Sequence, residues 1–206
     1  MLQFITHNNS RFNEVEGAKA ALEGGCRWIQ LRMKNASDDE FIAAGKEIGR
    51  LCRKAGAKFI LDDRVELVEL LNADGVHLGK NDMPVAEARR LLGSEKIIGA
   101  TANNLQDAIN GVKDGADYLG IGPFRFTTTK QRLAPVLGLD GLTELMTKLR
   151  EVSDIPVVAI GGIKDSDIRD IMRSGVTGIA VSGNILNASS PKEKTEIILK
   201  EIKNNG

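Results

Sequence analysis

Short apolar segments rich in valine, isoleucine and leucine recur along the chain, and each is followed by a longer amphipathic segment. Most of the apolar segments are nearly continuous rather than alternating, which is typical of strands in a parallel sheet that is covered by helices. They predict strands at residues 2–6, 28–32, 58–62, 75–79, 96–100, 118–122, 156–162 and 178–183. The repeat is one of architecture, because the residues themselves do not repeat.

The segments between these strands carry apolar residues at three- and four-residue spacing, which predicts amphipathic helices. The predicted helices cover residues 14–22, 38–54, 65–71, 85–92, 105–113, 139–151, 165–174 and 191–203. Glycines lie where several of these helices should end. Ser37, Asn103 and Asp165 are candidate N-cap residues where helices should begin.

The order of these elements predicts the class of fold. Eight strand–helix units without an interruption favour an α/β fold of the closed (β/α)8 TIM-barrel type, with residues 1–206 forming a single domain. This length lies at the short end of the range for such barrels. A doubly wound open sheet is the alternative.

The composition is that of an ordinary globular chain. Hydrophobic residues make up 42% of the sequence, and 28 lysines and arginines balance 28 aspartates and glutamates. The zero net charge argues against nucleic acid or a membrane surface as a partner, and no apolar run is long enough to span a bilayer. Because the N-terminus lacks a signal-peptide pattern, we expect a cytoplasmic protein with Cys26 and Cys52 reduced and packed. The sequence does not determine the oligomeric state, and a homo-oligomer is possible.

Polar and charged residues follow nearly every predicted strand at its C-terminal end, whereas the turns before the strands carry little but glycine. In (β/α)8 barrels the active site lies at the C-terminal strand ends. The asymmetry therefore predicts an enzyme. The residues that stand at these ends include Gln30, Arg32, Lys34, Asp62, Asp63, Asp82, Thr101, Gly162, Ser182 and Gly183.

The segment 120–130, GIGPFRFTTTK, begins as the end of the sixth strand and continues as a loop. Its hydroxyl and cationic residues include Thr127, Thr129 and Lys130. A buried strand that opens into hydroxyl groups and positive charge suits an anionic ligand. A solvated threonine-rich loop is the alternative.

Glycines end the seventh strand, and a glycine also follows the eighth. Gly161 and Gly162 leave backbone N–H groups accessible, so that a phosphate can approach closely, and a helix N-terminus after the loop favours an anion. The alternative is that these glycines only form a tight turn.

Asp63 and Asp82 follow neighbouring strands, so their carboxylates can face each other at the barrel mouth. Two such carboxylates are typical Mg²⁺ ligands, with the remaining positions left to substrate phosphate oxygens. Salt bridges to Arg64 or Lys80 are an alternative role, and Asp82 could instead cap a helix.

Arg32, Lys34 and Lys130 supply charge for a second anionic group. Two anion sites, one of them with a metal, indicate a pair of small-molecule substrates of which one carries a diphosphate. His77 lies inside a predicted strand, where a packed and hydrogen-bonded histidine is more common than a catalytic base.

Several motifs along nearly the whole chain resemble those of the thiamine-phosphate synthase family. They are WIQLRMK, LDDRVELVELLNADGVHLGKNDMP, IIGATAN, ADYLGIGPFRFTTTK and IPVVAIGGI. The resemblance implies a Mg²⁺-dependent (β/α)8 barrel. Enzymes of this family join a hydroxymethylpyrimidine diphosphate to a thiazole phosphate by a dissociative substitution, releasing pyrophosphate and forming thiamine phosphate.

The resemblance also implies roles for individual residues. The pyrimidine diphosphate site would comprise Gln30, Arg32, Lys34, Asp62, Thr101 and Lys130, with Lys34, Lys130 and Thr101 nearest the chemistry. The Mg²⁺ ligands would be Asp63 and Asp82. The thiazole phosphate site would comprise Thr127, Thr129, Gly162, Ser182 and Gly183.

Four positions depart from the family pattern. Asp62 replaces the usual asparagine and Lys80 the usual glutamine, which suggests a compensating pair of opposite charges. Asn103 stands where a histidine is common, and Ser182 lies one position before the usual serine.

Two alternative functions share the fold and the phosphate site. One is that of the paralogous thiazole tautomerase, which needs neither a diphosphate nor a metal. The other is a barrel that senses a phosphate ligand without catalysis. The residues that argue against the tautomerase are Arg32, Lys34, Asp63, Asp82 and Lys130.

Overall fold

The computed structural model of the protein describes residues 1–126 and 135–205. Eight parallel strands form a closed barrel in which each strand pairs with the next and the last pairs with the first. The predicted closed barrel is therefore confirmed. The strands are β1 (Leu2–Ile5), β2 (Trp28–Leu31), β3 (Lys58–Asp62), β4 (Gly75–Leu78), β5 (Ile97–Ala102), β6 (Tyr118–Ile121), β7 (Val157–Ile160) and β8 (Gly178–Val181).

Helices follow the strands around the outside of the barrel. They are α1 (Glu14–Glu23), α2 (Asp38–Ala55), α3 (Val85–Leu92), α4 (Leu105–Lys113), α5 (Gly138–Arg150), α6 (Ile168–Arg173), α7 (Gly183–Leu186) and α8 (Pro191–Asn205). The predicted helix at 65–71 is wrong, because only a 3₁₀ helix at Val65–Leu67 forms there. Asn72 adopts a left-handed conformation with φ 47° soon afterwards, which turns the chain towards β4. The short helix α7 has no counterpart in the predicted elements.

Local capping explains where the helices begin. Ser37 is confirmed as the N-cap of α2, in a capping box with Glu40. The other two predicted caps are wrong. Asn104 rather than Asn103 caps α4, by accepting a hydrogen bond from the Asp107 N–H. Asp165 begins a 3₁₀ helix that precedes α6.

Two separate apolar regions stabilise the barrel. The larger lies between the sheet and the helices. The smaller lies inside the barrel, where Ile5, Tyr118, Val158 and Ala180 pack together. Cys26 and Cys52 are buried, and burial raises the pKa of both thiols, in accord with the predicted packing role.

Polar side chains are also buried, and several of them belong to the barrel strands: Gln3, Gln30, Asp62 and His77. A buried polar group is stable only with hydrogen-bond partners, so these positions mark the part of the barrel where chemistry can be placed. Within the described ranges, 1–126 and 135–205, no helix is long and apolar enough to cross a bilayer.

Candidate active site

Gln30 and Asp62 form a buried pair on the neighbouring strands β2 and β3. The Gln30 Nε2 donates to the Asp62 Oδ1 at 2.6 Å, and Gln30 is only 2% exposed. The Gln30 Oε1 is buried without a hydrogen-bond partner among the described residues. An orphaned buried acceptor is costly, so this oxygen is ready to accept a hydrogen bond from a ligand N–H.

Two cations extend from the end of β2 over Asp62. The Arg32 Nε lies 3.4 Å, and the Lys34 Nζ 3.8 Å, from the Asp62 Oδ2. The Arg32 backbone N–H donates to the Thr6 hydroxyl at 2.8 Å, which fixes the chain where β2 ends. The positive charge of the strand end is therefore held in place beside a buried carboxylate.

Asp63 directly follows β3 in a left-handed backbone conformation, with φ 67°. A non-glycine residue in this conformation is uncommon, and such strain is concentrated at functional sites. Its Oδ2 accepts a hydrogen bond from the Lys34 Nζ at 2.5 Å. Burial would lower the pKa of Lys34, but this hydrogen bond and the charges of Asp62 and Asp63 outweigh it, so the pKa is raised.

The carboxyl groups of Asp63 and Asp82 lie close enough to change each other's ionisation. Burial, the hydrogen bond with Asp82 and the charge of Asp62 raise the pKa of Asp63 to about 7. Burial also opposes the ionisation of Asp82, but its hydrogen bonds with Asp63 and with the Gly79 N–H outweigh burial and lower its pKa. The pair thus concentrates negative charge that a shared proton or a cation can relieve.

This pair fits a Mg²⁺ site that is completed by a substrate. The described residues contain no group of three or more histidine, cysteine, aspartate or glutamate side chains that could hold a metal ion by themselves. Mg²⁺ commonly uses one or two carboxylates together with water and substrate phosphates. Asp63 and Asp82 match that mode of binding.

The alternative roles considered for these two aspartates do not match the structure. Arg64 pairs with Asp38, and the Lys80 Nζ pairs with the Asp107 Oδ2 at 2.8 Å. The suggested compensating pair of Asp62 and Lys80 is therefore wrong, because Arg32 and Lys34 lie close to Asp62 instead. Asp82 does not cap α3 either, since the N-cap position is Pro84.

Thr101 lies on β5 beside this group, and its hydroxyl is 3.0 Å from the His77 Nε2. His77 is 7% exposed and hydrogen-bonded on both ring nitrogens, as expected for a packed interior histidine.

A second polar region lies beyond β7 and β8. Gly161 and Gly162 both have left-handed φ angles, 102° and 65°, which only glycine adopts readily. A Cβ atom on Gly162 would lie 2.9 Å from the Phe126 carbonyl oxygen. The glycines thus also serve the turn, so the turn and phosphate interpretations do not exclude each other.

The predicted residues Ser182 and Gly183 lie where β8 leads into α7. The first N–H groups of a helix have no intrahelical partner and favour an anion. The Ser182 Oγ is buried without a partner among the described residues. A cavity of about 610 Å³ borders this region, and its lining includes Gly162, Gly183 and two lysines, Lys164 and Lys194. Lys194 could not be predicted from the sequence, because it belongs to α8 and reaches the region only through the packing of that helix.

Three predicted site residues, Thr127, Thr129 and Lys130, lie in segment 127–134, outside the described residues. The structure brings the other predicted residues to the C-terminal ends of the strands. They form two groups there, one on β2 to β5 and one beyond β7 and β8.

The chain is similar to proteins of known name over nearly all of its length. A family model for thiamine monophosphate synthase matches residues 2–185. A thiamine-phosphate synthase of Bacteroides thetaiotaomicron is 54% identical over 96% of the chain and 95% of the relative, and one of Pyrococcus abyssi is 43% identical over 92% and 88%. The solved structure of a thiamine phosphate pyrophosphorylase from Pyrococcus furiosus is 40% identical with a TM-score of 0.88, covering 98% of this chain and 95% of that one.

Proposed function

The chain belongs to the thiamine monophosphate synthase family, and from this premise we propose that it condenses a hydroxymethylpyrimidine diphosphate with a hydroxyethylthiazole phosphate. The products are thiamine phosphate and pyrophosphate. The observation that carries the proposal is that two groups of polar residues, each suited to an anion, lie at the same mouth of the barrel. One has Arg32 and Lys34 beside the Asp63–Asp82 carboxyl pair, and the other is built from glycines and the start of α7.

The reaction proposed is a dissociative substitution. The bond between the pyrimidine methylene carbon and the diphosphate oxygen breaks, and the electron pair leaves with pyrophosphate. The thiazole nitrogen then forms the new bond to the electron-poor carbon. Such a reaction depends on positioning and on charge stabilisation rather than on a strong base.

The described residues of the first group have distinct tasks in this reaction. Arg32 and Lys34 face the negative charge that develops on the leaving diphosphate. The orphaned Gln30 Oε1 accepts a hydrogen bond from the pyrimidine amino group, and its Nε2 is held by Asp62. Asp63 and Asp82 would hold Mg²⁺, which supplies positive charge to the phosphate oxygens when it is bound.

The second group would bind the thiazole phosphate. Backbone N–H groups at the start of α7 and the Ser182 hydroxyl are the donors there, and Lys194, which pairs with the Asp165 carboxylate at 2.6 Å, lies at the edge of the cavity. The Lys34 contact with the carboxyl pair favours the synthase over the tautomerase and over a sensor without catalysis, since neither alternative requires a diphosphate site.

The direct test is to incubate the purified protein with both substrates, with and without Mg²⁺, and to measure thiamine phosphate and pyrophosphate. We expect equal amounts of the two products, formed only when Mg²⁺ is present. Binding of the thiazole phosphate without any product would indicate a sensing protein instead.

Ser182→Ala is expected to weaken substrate binding without lowering stability. Removal of a buried hydroxyl that has no partner relieves its desolvation cost, so the melting temperature should stay the same or rise. The lost hydrogen bond to a phosphate should raise the KM for the thiazole phosphate by roughly tenfold. Calorimetry measures the melting temperature, and initial rates at varied thiazole phosphate concentration measure the KM.

Ser190→Ala is the matched control for this variant. The Ser190 Oγ accepts a hydrogen bond from the Glu193 N–H at 3.3 Å near the start of α8. Loss of such a capping contact should lower the melting temperature and leave KM unchanged. An unchanged KM in Ser182→Ala would contradict the assignment of Ser182 to the phosphate.

A further inference from the structure

Four polar side chains form a continuous chain of hydrogen bonds across the interior of the barrel. The Gln3 Nε2 donates to the Tyr118 hydroxyl at 3.0 Å, and that hydroxyl lies 3.0 Å from the His77 Nδ1. The His77 Nε2 lies 3.0 Å from the Thr101 Oγ1. Gln3 and Tyr118 are each 1% exposed, so the chain starts deep in the barrel and ends at the candidate active site.

Two glycines leave room for these hydrogen-bonded side chains. Gly99 is paired with His77 between β4 and β5, and Gly120 is paired with Thr101 between β5 and β6. A Cβ atom on Gly99 would lie 2.2 Å from the Tyr118 ring and 2.5 Å from the His77 Nδ1. A Cβ atom on Gly120 would lie 3.0 Å from the His77 Cε1. The barrel interior therefore accommodates the histidine–tyrosine pair only because these strand positions lack side chains.

The Gln3 contact, in which Nε2 donates, indicates the direction of the remaining hydrogen bonds. The Tyr118 oxygen already accepts from Gln3, and its own O–H is fully buried, so leaving that proton unpaired would be costly. The Tyr118 O–H therefore donates to the His77 Nδ1. A neutral His77 then carries its proton on Nε2 and donates it to Thr101, because one nitrogen of a neutral imidazole accepts while the other donates.

We propose that Gln3, Tyr118 and His77 act as positioning residues that fix the Thr101 hydroxyl as a hydrogen-bond donor towards an acceptor atom of the pyrimidine substrate. Because the Thr101 oxygen accepts a hydrogen bond from the His77 Nε2–H, the Thr101 hydroxyl proton is free to point into the candidate active site. This inference rests on the proposed function for the substrate, but the direction of the hydrogen bonds is a property of the free protein.

Hydrogen bonds that ran in the opposite direction would change the group that Thr101 presents to the substrate. If the His77 proton moved to Nδ1, Nε2 would accept a hydrogen bond from Thr101. The threonine would then present lone pairs to the substrate instead of a proton. A hydroxyl group can distinguish a ligand acceptor from a ligand donor only when its own role, as donor or acceptor, is fixed.

The first test needs no substrate. His77 and His7 are the only histidines, so ¹⁵N-labelled His7→Gln protein gives a single imidazole signal set. We expect the proton of His77 on Nε2 at neutral pH. In Tyr118→Phe, which keeps the aromatic ring that packs edge-on against Trp28, we expect the Nδ1–H tautomer to gain population. A proton on Nδ1 in the otherwise unchanged protein would overturn the proposal.

The second test is a double-mutant cycle between Tyr118→Phe and Thr101→Val. Tyr118→Phe should lower kcat/KM for the pyrimidine diphosphate by roughly tenfold, the effect of about one lost hydrogen bond. If Tyr118 acts through Thr101, the same change in the Thr101→Val background should cost less than about twofold. Full multiplicative losses would mean that Tyr118 acts independently of Thr101, and would refute the positioning role.

Thr195→Val is the control for stability. The Thr195 hydroxyl is buried on α8, where it donates to the Pro191 carbonyl at 2.8 Å. Its loss should lower the melting temperature and leave kcat/KM unchanged. If the unaltered protein formed no thiamine phosphate, the proposed function would fail, while the tautomer measurement would still decide whether the chain of hydrogen bonds has the stated direction.

Discussion

Asp63→Asn and Asp82→Asn are each expected to lower kcat by roughly a hundredfold or more, with partial recovery at high Mg²⁺ concentration. Each change keeps the size of the side chain but removes one negative charge from the proposed metal site. The leaving diphosphate gains charge as its bond breaks, so a weaker metal site costs the transition state more than the ground state. Steady-state rates over a series of Mg²⁺ concentrations measure the effect.

The folded state should tolerate both changes. Asp63 has a φ of 67°, and asparagine is among the residues that accept this conformation most readily. Asp63→Asn also removes a carboxyl group whose ionisation is opposed by burial and by the neighbouring aspartates. The melting temperature should therefore stay constant or rise slightly, whereas two aspartates that served only structural ion pairs would lower it when replaced.

Asp74→Asn is the matched control at the other end of the barrel. The Asp74 carboxylate accepts from the Phe59 N–H at 2.8 Å and pairs with Lys58. Its replacement should lower the melting temperature without changing kcat or its dependence on Mg²⁺. Normal turnover at low Mg²⁺ in Asp63→Asn or Asp82→Asn would refute the metal assignment.

Lys34→Met should reduce kcat/KM for the pyrimidine diphosphate by roughly a hundredfold. The Lys34 Nζ contacts Asp63 at 2.5 Å and lies 3.8 Å from Asp62, so its loss removes positive charge from the proposed diphosphate site and the ion pairs that Lys34 forms with two carboxylates there. The Lys34 side chain is 45% exposed, and an ion pair of that exposure contributes at most about 1 kcal/mol to stability. A large loss of activity with a small change in melting temperature is the expected pattern.

Lys58→Met provides the comparison for this variant. Lys58 forms a similar exposed ion pair with Asp74 at 3.1 Å, at the start of β3 and far along the strand from the site. Its replacement should leave kcat/KM unchanged. Lys34→Arg should retain part of the activity, because it keeps the charge but alters the geometry. Equal effects of Lys34→Met and Lys58→Met would refute a direct role for Lys34.

The sequence alone was sufficient for the order of the strands and for the barrel. Continuous apolar segments and helical spacing are local patterns, and a strand such as β6 is recognisable from its own residues. The positions of Asp63, Asp82 and Thr101 at strand ends followed from the same patterns, because the C-terminal ends of parallel strands meet at one face. Local context was weaker at 65–71, where the apolar spacing predicts a helix but the chain turns at Asn72 after one short 3₁₀ turn.

Contacts between distant segments were decided only by the tertiary structure. Lys80 lies two residues before Asp82 in the sequence, yet its partner is Asp107 on α4, because pairing depends on the distance between side chains and not on the order of charges. Gln3 and Tyr118 are 115 residues apart, and closure of the barrel brings them to 3.0 Å. The residue types at the site were thus determined by the sequence. Their partners and the direction of their hydrogen bonds were determined by the barrel, because burial requires each polar group to find a partner among whatever the closed sheet places beside it.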